Sequence, residues 1–331
     1  MKIFITGASG FLGQAVVKAA LTRGHSVVAL VRPGATVPLG NDIITVCGDL
    51  RRPAGFEETL RQVDAVIHLA AGTSGTLDEQ LPASVVGTER LLDVMQKAGV
   101  KRLVLASTFS VYDWSRLFGR LTERSPLERD LYLRDGYAIA KTWQERIVRE
   151  RTAQDRLQLT VLRPGFIWGP GREWVPGAGL IVGRRILVNG PFRRLPVTHV
   201  TNCANCFVAA CENHATIGRT FNVVDTDDIR AWRFAWDYAR AMNLRFPIVI
   251  PYTAGLLLAH ISRLIARCLF GRGYKLPGVL LPIRYRARFR SMRFPNKSLA
   301  DTIGWRPPLN YRDALHATHV GPKQLAELAA R

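Results

Sequence analysis

Residues 2–24 read KIFITGASGFLGQAVVKAALTRG, and the order of their parts decides the fold. Lys2 to Thr6 is a short apolar run ending in glycines. Gln14 to Arg23 then spaces Ala, Val and Leu as one helix face, and Gly24 stops it. Between the two lies TGASGFLG, with Gly7, Gly10 and Gly13 three apart. Small residues at a strand-to-helix turn allow a tight bend and bring backbone up to a pyrophosphate. They also let the helix pack closely, while its N-terminus offers N–H groups and partial positive charge. The spacing differs from G-x-G-x-x-G, but its place directly after a strand and at the start of a helix is the context that supports such a motif.

The same alternation continues outward. His25 to Val31 gives a second strand, followed by IITVCGDL, the helical FEETLRQV, the strand DAVIHLAA and the helix around ERLLDVMQKAGV. RLVLAS, the YAIAK helix and QLTVLRPG complete the run. Strand and helix in turn, with buried β-branched strands, predict an α/β fold, a Rossmann-type doubly wound parallel sheet covered on both faces. A chain of 331 residues suits a nucleotide-binding domain with a smaller C-terminal substrate-binding lobe. The boundaries expected are 1–165 plus 198–224 for the first, and 166–197 plus 225–331 for the second. No internal repeat or low-complexity linker interrupts them.

Composition narrows the partners. Hydrophobic residues make up 47% of the chain, enough for a substantial core, and the formal charge of +20 points to an anionic partner. That partner is a phosphate-bearing ligand, a lipid headgroup surface or nucleic acid. No nucleic-acid-binding motif accompanies the charge, so specific nucleic-acid binding is not expected. Five cysteines do not make a disulfide framework, and MKIFITG reads as a strand rather than a signal peptide. The expected location is therefore cytoplasmic and reducing. His199, Cys203, Cys206, Cys211 and His214 follow helical spacing without paired C-x-x-C loops, which predicts buried cysteines and no metal.

Tyr137 and Lys141, in YAIAK, stand one helical turn apart on one face. A tyrosine hydroxyl titrates near about 10, so it needs help to act as a base near neutrality. By spacing alone the pair is a solvated helix face or a catalytic device, and a nucleotide site elsewhere decides between them.

With these motifs together, the sequence resembles the extended short-chain dehydrogenase/reductase family, also described as NAD-dependent epimerase/dehydratase. TGASGFLG resembles its cofactor loop, which implies contacts from Gly7, Ser9, Gly10, Phe11, Leu12 and Gly13. Asp49 and Leu50 resemble the pair beside the adenine, and Leu69, Ala70 and Ala71 the segment under the cofactor. ASTFSVYD, RPGFIWGPG, PVTHVTNCA and SLADTIGWRPPLNYRDAL follow in the family's order. The resemblance implies that Tyr137 is the general acid/base, that Lys141 lowers its pKa and holds the nicotinamide ribose, and that Thr108 hydrogen-bonds the substrate oxygen. Ser107 is the alternative hydroxyl and a cofactor contact, as are Pro164 and Gly165. It also implies a homodimer through the YAIAK helix.

Cofactor and substrate follow from departures. Val31 fills the position where a carboxylate binds the NAD ribose, and Arg32 suits a 2′-phosphate, so NADP(H) is expected ahead of NAD(H). Phe109 and Ser110 replace the Asp-Glu that follows the active-site threonine in dehydratases, which argues against elimination of water. The leading expectation is an oxidoreductase interconverting a secondary alcohol and ketone on a small-molecule substrate, including a lipid- or steroid-like one. Its rivals are a nucleotide-sugar epimerase retaining NAD and a non-catalytic NADP-binding protein. From Tyr238 to Ala300 there is no Asp or Glu but twelve Lys or Arg. TAGLLLAHISRLIARCLFG within that stretch is too short and too charged to span a bilayer. Residues 254–293 therefore read as a peripheral contact with the inner membrane face, a diphosphate grip or a solvated basic helix.

Overall fold

The computed structural model describes the chain apart from residues 36–41, 73–74, 132–133, 226–227, 272–275, 278–279 and 321–331. Parts of the expected membrane-contact and substrate-lobe ranges thus lie outside the described residues. The opening stretch forms β1 (Lys2–Thr6) and α1 (Phe11–Thr22), followed by β2 (Ser26–Val31), β3 (Ile43–Cys47) and α2 (Glu57–Leu60). Next come β4 (Ala65–His68), α3 (Leu77–Leu81), α4 (Gly87–Ala98), β5 (Arg102–Ala106), α5 (Gly136–Asp155) and β6 (Gln158–Pro164). The remainder contains β7 (Phe166–Trp168), β8 (Leu180–Val182), β9 (Arg185–Asn189), β10 (Val197–His199), α6 (Val200–Glu212) and β11 (Thr220–Val223). It ends with α7 (Ala231–Ala241), β12 (Ile248–Ile250), α8 (Tyr252–Phe270), α9 (Pro282–Phe289), α10 (Lys297–Ile303) and α11 (Tyr311–His319).

Seven strands form one sheet in the order β11-β6-β5-β4-β1-β2-β3, with every pairing parallel. The chain runs outward from β1 to β3 and returns through β4 on the other side. A crevice therefore opens at the carboxyl ends of β1 and β4, where a doubly wound sheet receives its ligand. On one face, Val16, Val17 and Ala20 of α1 meet Cys203, Phe207 and Cys211 of α6. On the other, Leu91, Leu92 and Met95 of α4 pack with Val148 of α5. Each such buried aliphatic contributes about 1.5–3 kcal/mol, which is why the sheet needs both covers.

Outside the sheet, β7 pairs with β10, and β12, β9 and β8 form a three-stranded sheet. Trp168, Phe234 of α7 and Tyr311 of α11 anchor a separate core there, with Trp168 edge-on to Phe234 at 5.3 Å.

Two local expectations change, and one strand is added. The helix expected over FEETLRQV is a single turn, because beyond Leu60 the backbone bonds tighten to three-residue turns, from the Gln62 nitrogen to the Thr59 carbonyl and from the Val63 nitrogen to the Leu60 carbonyl, and β4 begins at Ala65. β3, expected to be buried, is half exposed because it is the sheet's edge. The four-residue β11 extends the sheet beyond β6, after a turn at Gly218 with φ +75°. The cysteines on α6 are buried in its contact with α1; burial pushes the Cys211 thiol up to about 12 and those of Cys203 and Cys206 higher still.

Candidate active site

The glycine turn is fixed by close approach. Gly7 has φ +70°, and a Cβ there would sit 2.9 Å from the Ala70 nitrogen. A Cβ on Gly13 would sit 2.0 Å from the Gly7 carbonyl oxygen. Gly10 caps α1 without a side chain, and the first turn carries no acidic residue. The result is a backbone cradle at a helix N-terminus, with Ser9, Phe11 and Leu12 around it, that fits a dinucleotide pyrophosphate.

The flanking residues lie at the strand ends as their places in sequence require. Arg32 follows β2 and is exposed. Asp49 follows β3; a side-chain hydrogen bond from Arg51 holds its carboxyl below the usual range, with an ion pair of 2.6 Å. Leu50 is buried and packs towards Gly87. Leu69, Ala70 and Ala71 follow β4, with the Ala70 nitrogen donating to Thr6 Oγ1 at 3.2 Å and its carbonyl accepting from Gln144 Nε2 at 3.1 Å. Pro164 ends β6, and Gly165 lies so close to Pro196 that a Cβ would be 2.1 Å from its oxygen.

The Thr108 and Tyr137 side chains line a cavity of about 780 Å³. Asp135 caps α5 by accepting from the Ala138 nitrogen at 3.0 Å, which sets Tyr137 in the first turn. Thr108, in extended backbone just past β5, and Tyr137 both line the cavity, with the Thr108 side chain bearing on the Tyr137 phenol. Burial pushes the Tyr137 phenol above its ordinary value; the Thr108 side chain opposes this, Asp135 adds to it and Arg172 subtracts.

Lys141 is buried one turn along, with Nζ donating to the Ala106 carbonyl and to Gln144 Oε1 at 2.6 Å. Burial lowers its pKa to about 7, against the pull of Glu145. Its ammonium is thus held at the end of β5 by neutral acceptors, and the charges bearing on Tyr137 are those of Asp135 and Arg172. Ser107 Oγ donates to Glu145, so among these two hydroxyls the cavity receives that of Thr108.

Beneath the site is a polar layer that the sequence reading did not identify. His68 bridges Thr6 at 2.6 Å and Thr88 at 2.8 Å, and burial lowers its pKa to about 3, so it stays neutral. Glu145 pairs with Arg163, which reaches Tyr112 Oη at 3.0 Å. In sequence, the only hint was Gln144 and Glu145 three and four residues beyond Lys141, on the same buried face.

Comparison with known proteins gives a consistent result. The model of a family described as "NAD dependent epimerase/dehydratase family" matches residues 3–245. A 2-alkyl-3-oxoalkanoate reductase of Stenotrophomonas maltophilia is 33% identical over 220 residues, 64% of this chain and 66% of that protein. A 3beta-hydroxysteroid-dehydrogenase/decarboxylase of Arabidopsis thaliana is 26% identical over 82% of this chain but 51% of its own length. The chain thus spans between half and two thirds of these relatives. A UDP-glucose 4-epimerase of Thermotoga maritima shares the fold with TM-score 0.71 at 17% identity, covering 98% of this chain and 100% of that one.

Proposed function

Because the chain belongs to the NAD-dependent epimerase/dehydratase family of extended short-chain dehydrogenases/reductases, we propose that it interconverts a secondary alcohol and a ketone, with NADP(H) preferred. The observation that carries this reading is the Thr108–Tyr137 pair on the wall of a cavity lined by apolar and cationic side chains. Bound nicotinamide supplies or accepts the hydride. Tyr137 gives its hydroxyl proton to the substrate oxygen in reduction and takes it back in oxidation, while Thr108 holds that oxygen. Gly7, Ser9, Gly10, Phe11, Leu12 and Gly13 hold the pyrophosphate, Asp49 and Leu50 flank the adenine, and Lys141 holds the ribose. Arg32 takes the 2′-phosphate, with Val31 offering no carboxylate to repel it. The reductase relative's name specifies an oxoalkanoate, a ketone on an apolar chain, which supports a lipid-like substrate.

Purified protein given a panel of ketones is expected to consume NADPH, and Arg32→Ala to raise the KM for NADPH about tenfold with little effect on that for NADH. Isomerisation of a nucleotide sugar without net NADPH consumption would instead make it an epimerase.

The surface of α8 supports peripheral membrane contact. Leu257, Leu258, Leu264 and Leu269 are 60%, 56%, 62% and 70% exposed, and Arg263 and Arg267 are exposed beside them. Among the described residues, no helix is long and apolar enough to cross a membrane. An apolar helix face flanked by arginines combines area burial with attraction to anionic headgroups. The protein is expected to float with phosphatidylglycerol vesicles and less with phosphatidylcholine alone. Leu257→Asp with Leu264→Asp should leave it at the bottom of the gradient; unchanged flotation would remove α8 as the contact.

A further inference from the structure

The cavity that holds Tyr137 carries more positive charge than the reaction needs. Arg134, Arg172, Arg193, Arg284, Arg288 and Arg290 line it, against Asp135 and Glu173. Some of these cations are already engaged. Arg134 pairs with Glu128 at 3.1 Å, Arg172 lies over the Phe11 ring, and Arg290 donates to the Trp114 carbonyl and lies over Phe118.

Arg193 and Arg284 differ: like Arg172, Arg288 and Arg290 they form no ion pair with a carboxylate among the described residues, and each also leaves a buried guanidinium nitrogen without a partner. Arg193 is 4% exposed, donates Nε to the Asn189 carbonyl at 2.7 Å, lies over Phe289 and leaves Nη2 without a partner. Arg284 reaches the Arg134 carbonyl at 3.1 Å and leaves Nε without a partner. Burial lowers the pKa of Arg193 to about 9. Arg288 is exposed and lines the cavity from the same helix as Arg284. A buried guanidinium is costly unless an anion completes it, and its planar fork matches a carboxylate or phosphate.

Arg284 and Arg288 sit on α9, which packs on α8, while Arg193 follows β9, so separate segments deliver the charges to one place. The other walls are apolar, from Phe109, Trp114, Phe166, Trp174 and Phe294.

We propose that Arg193, Arg284 and Arg288 form an anion-binding end of the substrate cavity, which takes the carboxylate or phosphate of an amphiphilic oxo-substrate. The apolar body of that substrate lies on the aromatic walls. The proposal rests on the reading of this cavity as the substrate site and adds the headgroup to it.

Trp114 and Trp174 line the cavity and provide an intrinsic fluorescence signal that needs no turnover. Decanoate, decyl phosphate and 1-decanol titrated into the full chain separate the contributions. At least one of the anions is expected to bind about ten- to a hundredfold more tightly than the alcohol. The better of the two identifies the headgroup. Arg193→Met and, separately, Arg288→Met should remove that preference while NADH binding and the melting temperature are kept. Equal affinity for decanol, an unchanged preference in both variants, or pyrophosphate binding as tightly as decyl phosphate would overturn the proposal. Anion-selective quenching in protein that turns over no alcohol supports the anion site and counts against the proposed reaction.

Discussion

Tyr137→Phe is expected to lower turnover by about 10²–10⁴-fold while cofactor affinity and melting temperature stay near those of the parent. The ring remains, so the packing of the first turn of α5 is kept, and what is lost is one hydroxyl on the cavity wall that Thr108 also lines. Burial raises the pKa of this phenol, so the protonated donor persists through neutral pH and reduction should change little there. Oxidation needs the phenolate and should accelerate as pH rises towards that value. Steady-state rates in both directions across pH check both statements. A variant that keeps turnover within a few-fold of the parent would remove Tyr137 from the proton transfer. Thr108→Val then decides whether the neighbouring hydroxyl carries it.

The parts of this site legible in the sequence are those in which the chemistry is local. Gly7 and Gly13 are dictated by a positive φ and a 2.0 Å approach within one turn, so their spacing alone gives them away. Tyr137 and Lys141 are one helical turn apart, and the apolar and basic character of α8 is contained in one stretch. What was not legible depends on long-range pairing. Ser107 looks like a second active-site hydroxyl until α5 brings Glu145 against it. Lys141 looks like a free cation beside Tyr137 until folding sets its ammonium on the Ala106 carbonyl and Gln144. Arg193 is one of many arginines in sequence, and its unpartnered Nη2 is a property of the packed cavity alone.

Glu145→Ala should destabilise the protein by about 3–5 kcal/mol, because it strands a buried guanidinium. Glu145 is 2% exposed and accepts from Arg163, from Ser107 and from Arg149 Nε at 2.8 Å. Burial pushes its carboxyl up, but the hydrogen bond and charge of Arg163, with Arg149 and Ser107, outweigh burial and hold it at about 2. A carboxyl with a depressed folded pKa contributes stability above its unfolded value of 4.5 and loses it as pH falls towards 2. The gap between parent and variant in urea unfolding should therefore be widest at neutral pH and narrow through that window. Arg149→Ala is the control: its side chain is 39% exposed, and its loss should cost no more than about 1 kcal/mol. A second consequence concerns function, since Glu145 also raises the pKa of Lys141 against burial. Without it, Lys141 loses its proton below its present value of about 7. Activity that depends on the charged lysine should then fall off at lower pH in the folded variant than in the parent. Destabilisation with an unmoved pH profile would leave Glu145 as a structural partner of Arg163, whereas a moved profile ties the buried pair to Lys141.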